Sequence, residues 1–414
     1  MKLQKYSIGT GDRFGCQGKA LLKAIIKAEE NGVDLAVVWN KSHREHLITK
    51  TTPFDVLNEA QEAVKELKWN GKYYIDADHI RLSNVDLYID SCNFFTLDIA
   101  EFIGKKAPND DINAFIEKYK KYIGKILIPN IKESLNVSEK QLYSIAEEYL
   151  FAIKEAGKIY HKIEEKKGKN NFIIEISMDE SSKPQTLIEV LFILAIIVYE
   201  KIPIQTFAPR FYGIFNKGVD FQGNIKRFAE EFEALLAIIQ FAIKEFSLSD
   251  NLKLSIHSGS DKFSIYKVIN KAIKKFNTGV HLKTSGTTWL EEVAGLAMAG
   301  DESLKLVKEI YNEAYNRFEE LCFPYKTVIN LKKDKLPHPN LVNDWSSEEF
   351  VNTLRHDETC KGYNPDFRQF LHIAYKIAAE MDLRYIEFLK KYDDIIALNV
   401  IDNIYERHIT RLFL

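Results

Sequence analysis

The sequence predicts a (β/α)8 barrel of the TIM-like kind, with a helical insertion after the fourth strand and extra helices at the C-terminus. Three observations predict it. Short apolar runs alternate strictly with helical periodicity eight times, which implies a parallel sheet that eight units can close into a barrel. The runs stop in polar loops, and three carry a histidine at that end: His79, His257 and His281. The chain has 414 residues, 46% of them hydrophobic, which supplies a sizeable core, and α/β barrels routinely exceed the usual single-domain length.

The first strand is read at 3–8 and ends in Gly9-Thr-Gly-Asp-Arg-Phe-Gly15, followed by a helix over 19–31. The second, 35–39, gives a loop with Asn40, Ser42, His43, Arg44 and Glu45, then a helix over 54–67. The third, 73–75, ends in Asp76-Ala-Asp-His79, and a helix over 84–90 leads to the fourth, 94–97, which ends at Asp98. An all-helical stretch follows at about 111–167, with Ile145, Tyr149, Ile153 and Ile159 at helical spacing. The fifth strand, 172–176, ends in Ser177-Met-Asp-Glu180 and is followed by a helix over 185–201. Its apolar run from Val190 to Tyr199 is too short for a bilayer and reads as a buried helix. The sixth, 204–207, ends in Pro209-Arg-Phe211 before a long helix over 224–246. The seventh, 254–256, ends in His257-Ser-Gly-Ser-Asp-Lys262 and a helix over 263–276. The eighth, 280–282, ends in Lys283-Thr-Ser-Gly-Thr287 and a helix from about 288. Residues 327–365 hold Pro337-His-Pro339 and read as a surface connector before helices at 366–380 and 383–412. The expected division is therefore a catalytic barrel over 1–326 and a connector with packed helices over 327–414.

A formal net charge of -2 argues against a nucleic-acid partner. Four cysteines without CxxC spacing suit a reduced, cytoplasmic protein. The start, Met1-Lys-Leu-Gln-Lys5, lacks the apolar stretch of a signal peptide. No membrane partner is expected. Long helices such as 224–246 could bury a second copy in a homo-oligomer or simply pack on the barrel.

In a barrel the C-terminal strand ends converge on one mouth, where active sites sit. This mouth is expected to collect His79, His257 and His281. It also gathers Asp12, Arg13, Asp76, Asp78, Asp98, Asp179, Glu180, Arg210, Asp261 and Lys262. A single histidine after a strand is more often a cap or a core residue. Three at one mouth favour a catalytic divalent-metal site with an open position. Asp12, Asp98 and Asp179 could equally cap the following helices. His43, His46, His161, His338, His356 and His408 are read as solvated, and His372 as packing against the barrel. The Gly9–Gly15 turn is a weak nucleotide signal, because Asp-Arg interrupts the small-residue pattern, so no nucleotide cofactor is expected.

At these residues the chain resembles the tagaturonate epimerase family. The matching segments are Ser7 to Gly15, Asp76 to His79, Met178 to Glu180, Ser255 to Ser264 and His281 to Thr287, with Pro337 to Pro339 and Leu371 to Tyr375 further on. Members of the family carry a segment ahead of the GTGDR motif, and alanine is familiar where Ser285 stands. The resemblance implies a divalent-metal enzyme of hexuronate catabolism that interconverts D-tagaturonate and D-fructuronate. It gives His79, His257 and His281 as metal ligands, Asp78 as proton acceptor and Glu180 as proton donor. Arg13, Arg210, Asp261 and Lys262 are the candidates for binding the sugar acid. Zinc, nickel, cobalt and manganese all suit three imidazoles.

The two uronates differ at a carbon two bonds from the ketone, so simple enolisation cannot invert it. Retro-aldol cleavage can: a base takes the hydroxyl proton, the adjacent carbon–carbon bond breaks, the aldehyde half turns, and the bond re-forms on its other face. A Lewis acid suits this chemistry. The alternatives left open are a 4-epimerase of neutral ketohexoses such as fructose and tagatose, a metal aldolase, or a non-catalytic sugar-acid sensor.

Overall fold

The computed structural model describes residues 1–284, 286–357 and 359–414. Ten strands occur among them: β1 (Tyr6–Thr10), β2 (Leu35–Ser42), β3 (Tyr73–Ile80), β4 (Phe94–Asp98), β5 (Gly124–Ile126), β6 (Leu135–Val137), β7 (Ile173–Ser177), β8 (Thr206–Ala208), β9 (Lys253–His257) and β10 (Val280–Lys283). Eight of them form a closed parallel barrel in the order β1-β2-β3-β4-β7-β8-β9-β10, with β10 pairing back onto β1. The fold is the predicted TIM-like (β/α)8 barrel.

Alternation along each strand explains the two-sided packing. Ile8, Val37, Trp39, Ile75, Phe95, Leu97, Ile174, Ile176, Leu254, Ile256 and Leu282 face outward into one core shared with the surrounding helices. The helix Leu187–Tyr199 is buried continuously from Val190 to Ile197 and packs between the helices Glu139–Lys167 and Ile225–Glu245. Each fully buried aliphatic side chain contributes about 1.5–3 kcal/mol. This is why an almost uniformly apolar segment is stable here without a membrane. Among the described residues no helix is long and apolar enough to cross one.

Three elements differ from expectation. The excursion between β4 and β7 holds the helices Asn109–Tyr119 and Glu139–Lys167, but β5 and β6 form an antiparallel hairpin between them. Pro129 and Asn130, the latter at φ +70°, stop helical propagation there. The helix expected after β3 shrinks to a 3-10 turn at Val85–Leu87. The connector is more regular than its prolines suggest: it holds the helices Pro339–Asp344 and Ser347–Leu354. The second of these packs Phe350 and Leu354 onto the helix Thr287–Ala299. The C-terminal helix Asp393–Ile401 covers the same helix.

Candidate active site

The barrel interior changes character with height. Near the floor Ala36, Val38, Tyr74, Phe94 and Ile173 form an apolar cluster with Leu3, and the buried Lys253 ammonium donates to the Gln4 and Lys5 carbonyls. Above the floor the inward positions are polar. His281 lies level with Ser7 and Ser255 in the strand register, and one step higher Lys283 lies level with His257. Lys283 Nζ reaches Asp76 Oδ2 at 2.8 Å, Asp78 Oδ1 at 2.8 Å and Glu175 Oε1 at 3.0 Å, and it also donates to Thr96. Burial opposes the charge on Lys283, but the three carboxylates outweigh it and raise its pKa well above the usual lysine range. The stem of Lys283 fits because Gly9 has no side chain: a Cβ there would lie 3.0 Å from Lys283 Cγ.

His79 reaches the same mouth by a different route. Strict alternation would send it outward, one residue after inward-facing Asp78. The β3–β4 register shifts between Ala77 and Ile80, a bulge of one residue, and His79 adopts φ +55°. A bulge re-aims a side chain in this way. His79 Nδ1 then donates to Asp78 Oδ1 at 2.9 Å while Nε2 lies 3.6 Å from Asp179 Oδ1. His257 is held in the same manner. Its Nε2 pairs with Glu175 Oε1 at 2.8 Å, and its Nδ1 faces Asp179 Oδ2 at 3.2 Å. The two imidazole centroids are 5.4 Å apart.

Each imidazole therefore gives one nitrogen to a buried carboxylate and turns the other toward Asp179. That is the arrangement by which proteins orient metal-ligating histidines. His79 Nε2 is buried with no hydrogen-bond partner. Ligand atoms of His79, Asp179 and His257 all lie within 4.8 Å of one another. Burial opposes charge on His257, but Asp179 and Glu175 raise its pKa to about 9. Burial likewise opposes charge on His79, and Asp78 and Asp179 raise it well above the usual imidazole range. A divalent cation among these atoms would supply the positive charge that the surrounding carboxylates favour, in competition with protons on the two imidazoles. The donor set fits a divalent metal with an open position.

Around this group lies a cavity of about 690 Å³, within the range of small-ligand sites. Asp78, Glu180, Arg210, Arg13 and Lys217 line it. Glu180 is exposed on its rim and makes no ion pair among the described residues. Arg210 Nη1 donates to the Asp179 carbonyl at 2.9 Å. Arg13 is committed elsewhere: Nε meets Glu45 at 2.8 Å, Nη1 meets the His372 carbonyl at 2.9 Å, and the guanidinium stacks 3.9 Å from the Tyr375 ring centroid.

The sequence model of the tagaturonate epimerase family matches residues 1–411. The chain belongs to that family. It is 27% identical over 384 residues to the tagaturonate/fructuronate epimerase of Thermotoga maritima, covering 89% of this chain and 72% of that one. The fold is also similar to crystal structures of the fructuronate-tagaturonate epimerase of Cohnella laeviribosi. A glycerol complex of that protein superposes with a TM-score of 0.81 at 24% identity, over 100% of this chain and 82% of that one. Its native form gives 0.79 at the same identity and coverage.

Within this member of the tagaturonate epimerase family, the structure brings together His79, His257, Asp78, Glu180, Arg13 and Arg210 at one cavity. It corrects three expectations. His281 is not part of the group that holds His79 and His257. It lies one layer deeper, with Nδ1 2.9 Å from Ser7 Oγ and its ring 5.4 Å from Phe94, because the side chain two residues further along β10, Lys283, takes the mouth level. Burial lowers the His281 pKa to about 3, so the ring is neutral. Asp261 and Lys262 do not line the cavity. Asp261 is fully buried against Arg368 Nη2 at 2.6 Å and His408 Nε2 at 3.0 Å. Lys262 Nζ donates to the carbonyls of Asn216 at 3.0 Å and Val219 at 2.7 Å. His46, His356 and His408, read as solvated, are buried. Asp12 does not cap the helix Gly18–Glu30: its carboxylate accepts from the amides of Phe14, Gly15 and Gln17 and so ties together the loop ahead of it. Ser285 lies outside the described residues.

Sequence reasoning passed over Lys283, Glu175 and Lys217. For the first two a signal existed. Asp76 and Asp78, Glu175 and Ser177, Ser255 and His257, and His281 and Lys283 put polar residues two apart in otherwise apolar strands. That period marks the inward face.

Proposed function

We propose that this chain interconverts D-tagaturonate and D-fructuronate with the help of a divalent cation held by His79, Asp179 and His257. Membership of the tagaturonate epimerase family supports the substrate pair. The observation that carries the site is the pair of imidazoles, each fixed by a buried carboxylate and both turned toward Asp179 at the barrel mouth. When bound, such a cation would acidify a substrate hydroxyl and stabilise negative charge developing on oxygen.

The chain's own groups supply the rest. Burial alone would raise the Asp78 pKa, but His79 and Lys283 hold it well below the usual carboxylate range. Asp78 therefore stays ionised where it lines the cavity, the form that a proton acceptor needs. Glu180, on the rim, is placed to exchange a proton with substrate and solvent. In the retro-aldol route one of these carboxylates takes the hydroxyl proton at the epimerised carbon. The bond toward the ketone breaks, the aldehyde half turns within the cavity, and the proton returns after the bond re-forms. Lys283, bound to Asp76, Asp78 and Glu175, offsets part of their negative charge beneath the site.

Purified protein given D-tagaturonate is expected to form D-fructuronate, to lose that activity on chelation, and to regain it when a divalent metal is returned. Turnover that survives complete metal removal would refute the metal centre. Full metal occupancy with turnover of fructose and tagatose, but not of the uronates, would refute the substrate class. Trapping a three-carbon aldehyde acid during turnover supports carbon–carbon cleavage.

A further inference from the structure

We infer that Lys217 holds the carboxylate of the acid sugar, with Arg210 beside it, and so sets the preference for a uronate over a neutral ketose. The inference rests on the substrate class proposed above. It begins with a process of elimination among the cations that line the cavity. Arg13 is bound to Glu45 at 2.8 Å. Arg81 is bound to Glu101 at 2.9 Å. Lys283 is saturated by three carboxylates. Arg44 lies over the Tyr325 ring, 5.2 Å from its centroid. Arg210 spends one nitrogen on the Asp179 carbonyl, which leaves the remaining donors of its fork. Lys217 lines the cavity, and among the described residues its ammonium has neither an ion pair nor a hydrogen bond.

The loop after β8 is built to present that ammonium. Lys217 donates its backbone N–H to the Val328 carbonyl at 2.9 Å, and its own carbonyl accepts from Gln369 Nε2 at 2.8 Å. On either side, the Asn216 and Val219 carbonyls are gathered by Lys262 Nζ. Gly218 sits at φ +77°, and a Cβ there would lie 2.9 Å from Gln369 Cα, so the turn admits only glycine. The Lys217 stem lies along Gly259 of the β9 loop, its Cγ 3.6 Å from where a Cβ on that glycine would be. A backbone pinned on both sides with a free charge at the tip is a preorganised anion contact. An ammonium donating to a carboxylate makes a charge-assisted hydrogen bond. The acids Asp78, Asp98, Asp179 and Glu180 share the cavity and would repel a second carboxylate, so a cation must receive it.

The test compares wild type with Lys217→Met and Lys217→Arg in the metal-loaded protein, with thermal melting to verify folding. The readout is the ratio of kcat/KM for D-tagaturonate to that for D-tagatose. Lys217→Met is expected to lower this ratio about 10- to 100-fold, chiefly through KM for the uronate, as loss of one charged hydrogen bond predicts. Lys217→Arg should recover part of it. A ratio unchanged in Lys217→Met overturns the inference. Should the wild type turn over neither sugar, the functional reading fails separately, and calorimetric binding of D-gluconate against D-glucitol decides Lys217. Preference for the acid that disappears in Lys217→Met supports the assignment. Absence of that preference, or its persistence in the variant, refutes it.

Discussion

His79 shows how much of this site is decided at single residues. A left-handed backbone costs a residue with a side chain about 1–2 kcal/mol, and His79 adopts one at φ +55°. The strain is offset by its bond to Asp78 and by its place beside Asp179. Glu175 does for His257 what Asp78 does for His79. Glu175→Gln is therefore expected to weaken divalent-metal binding about 10- to 100-fold, the usual effect of losing an orienting carboxylate. Competition with a coloured chelator measures it, and an unchanged affinity would remove Glu175 from the design. His79, His257, Asp78, Glu180 and Arg210 were legible because motif and strand end coincide there. Glu175 and Lys283 were less so. Glu175 sits inside a strand and Lys283 is the last residue of one, where a charged residue is unremarkable until its face is known.

At the scale of elements, loops and bulges decide what the strands present. The β3 bulge places two consecutive side chains, Asp78 and His79, at one mouth. The β8 loop is a second such device, and Gly218 is its hinge point. Gly218→Ala should cost roughly 2–4 kcal/mol, from the left-handed backbone and from contact with the helix Pro365–Ile373. Urea unfolding reads that loss, and the variant should also raise KM for the uronate, because Lys217 is the next residue. A stable Gly218→Ala protein with unaltered KM would show that the loop tolerates repacking. Hairpin β5–β6 was hidden in the sequence because each of its strands is only three residues long.

Over the whole molecule, one buried cluster joins barrel to C-terminus. Asp261 follows β9, while Arg368 and His408 come from the helix Pro365–Ile373 and the π-helical stretch Asp402–Ile409. Burial would raise the Asp261 pKa, but Arg368 and the two imidazoles His356 and His408 hold it well below the usual carboxylate range. Its stabilising contribution is therefore present above an ordinary carboxylate pKa of about 4 and fades as pH falls through the lower folded value. Asp261→Asn leaves the Arg368 charge buried without its anion and should cost about 3–5 kcal/mol at neutral pH. The gap between variant and wild type in urea melts should narrow below about pH 4. A gap that stays constant down to pH 2 would mean the carboxylate charge is not what ties the two parts together.

The sequence by itself determined the barrel, because alternation of strand and helix patterns and the two-residue period of buried strands are local properties. It also determined that histidines and acids meet at one mouth. Only the tertiary structure decided which of them meet. Strand register sets height inside a barrel, and register put Lys283 rather than His281 level with His257. Asp261 and Lys262 look like site residues in sequence because they follow the histidine closely. In the fold they point away from the cavity into contacts with partners 107 residues and about 45 residues distant, Arg368 and the Asn216 and Val219 carbonyls. Such long-range partners leave no trace in local pattern, and packing alone assigns them.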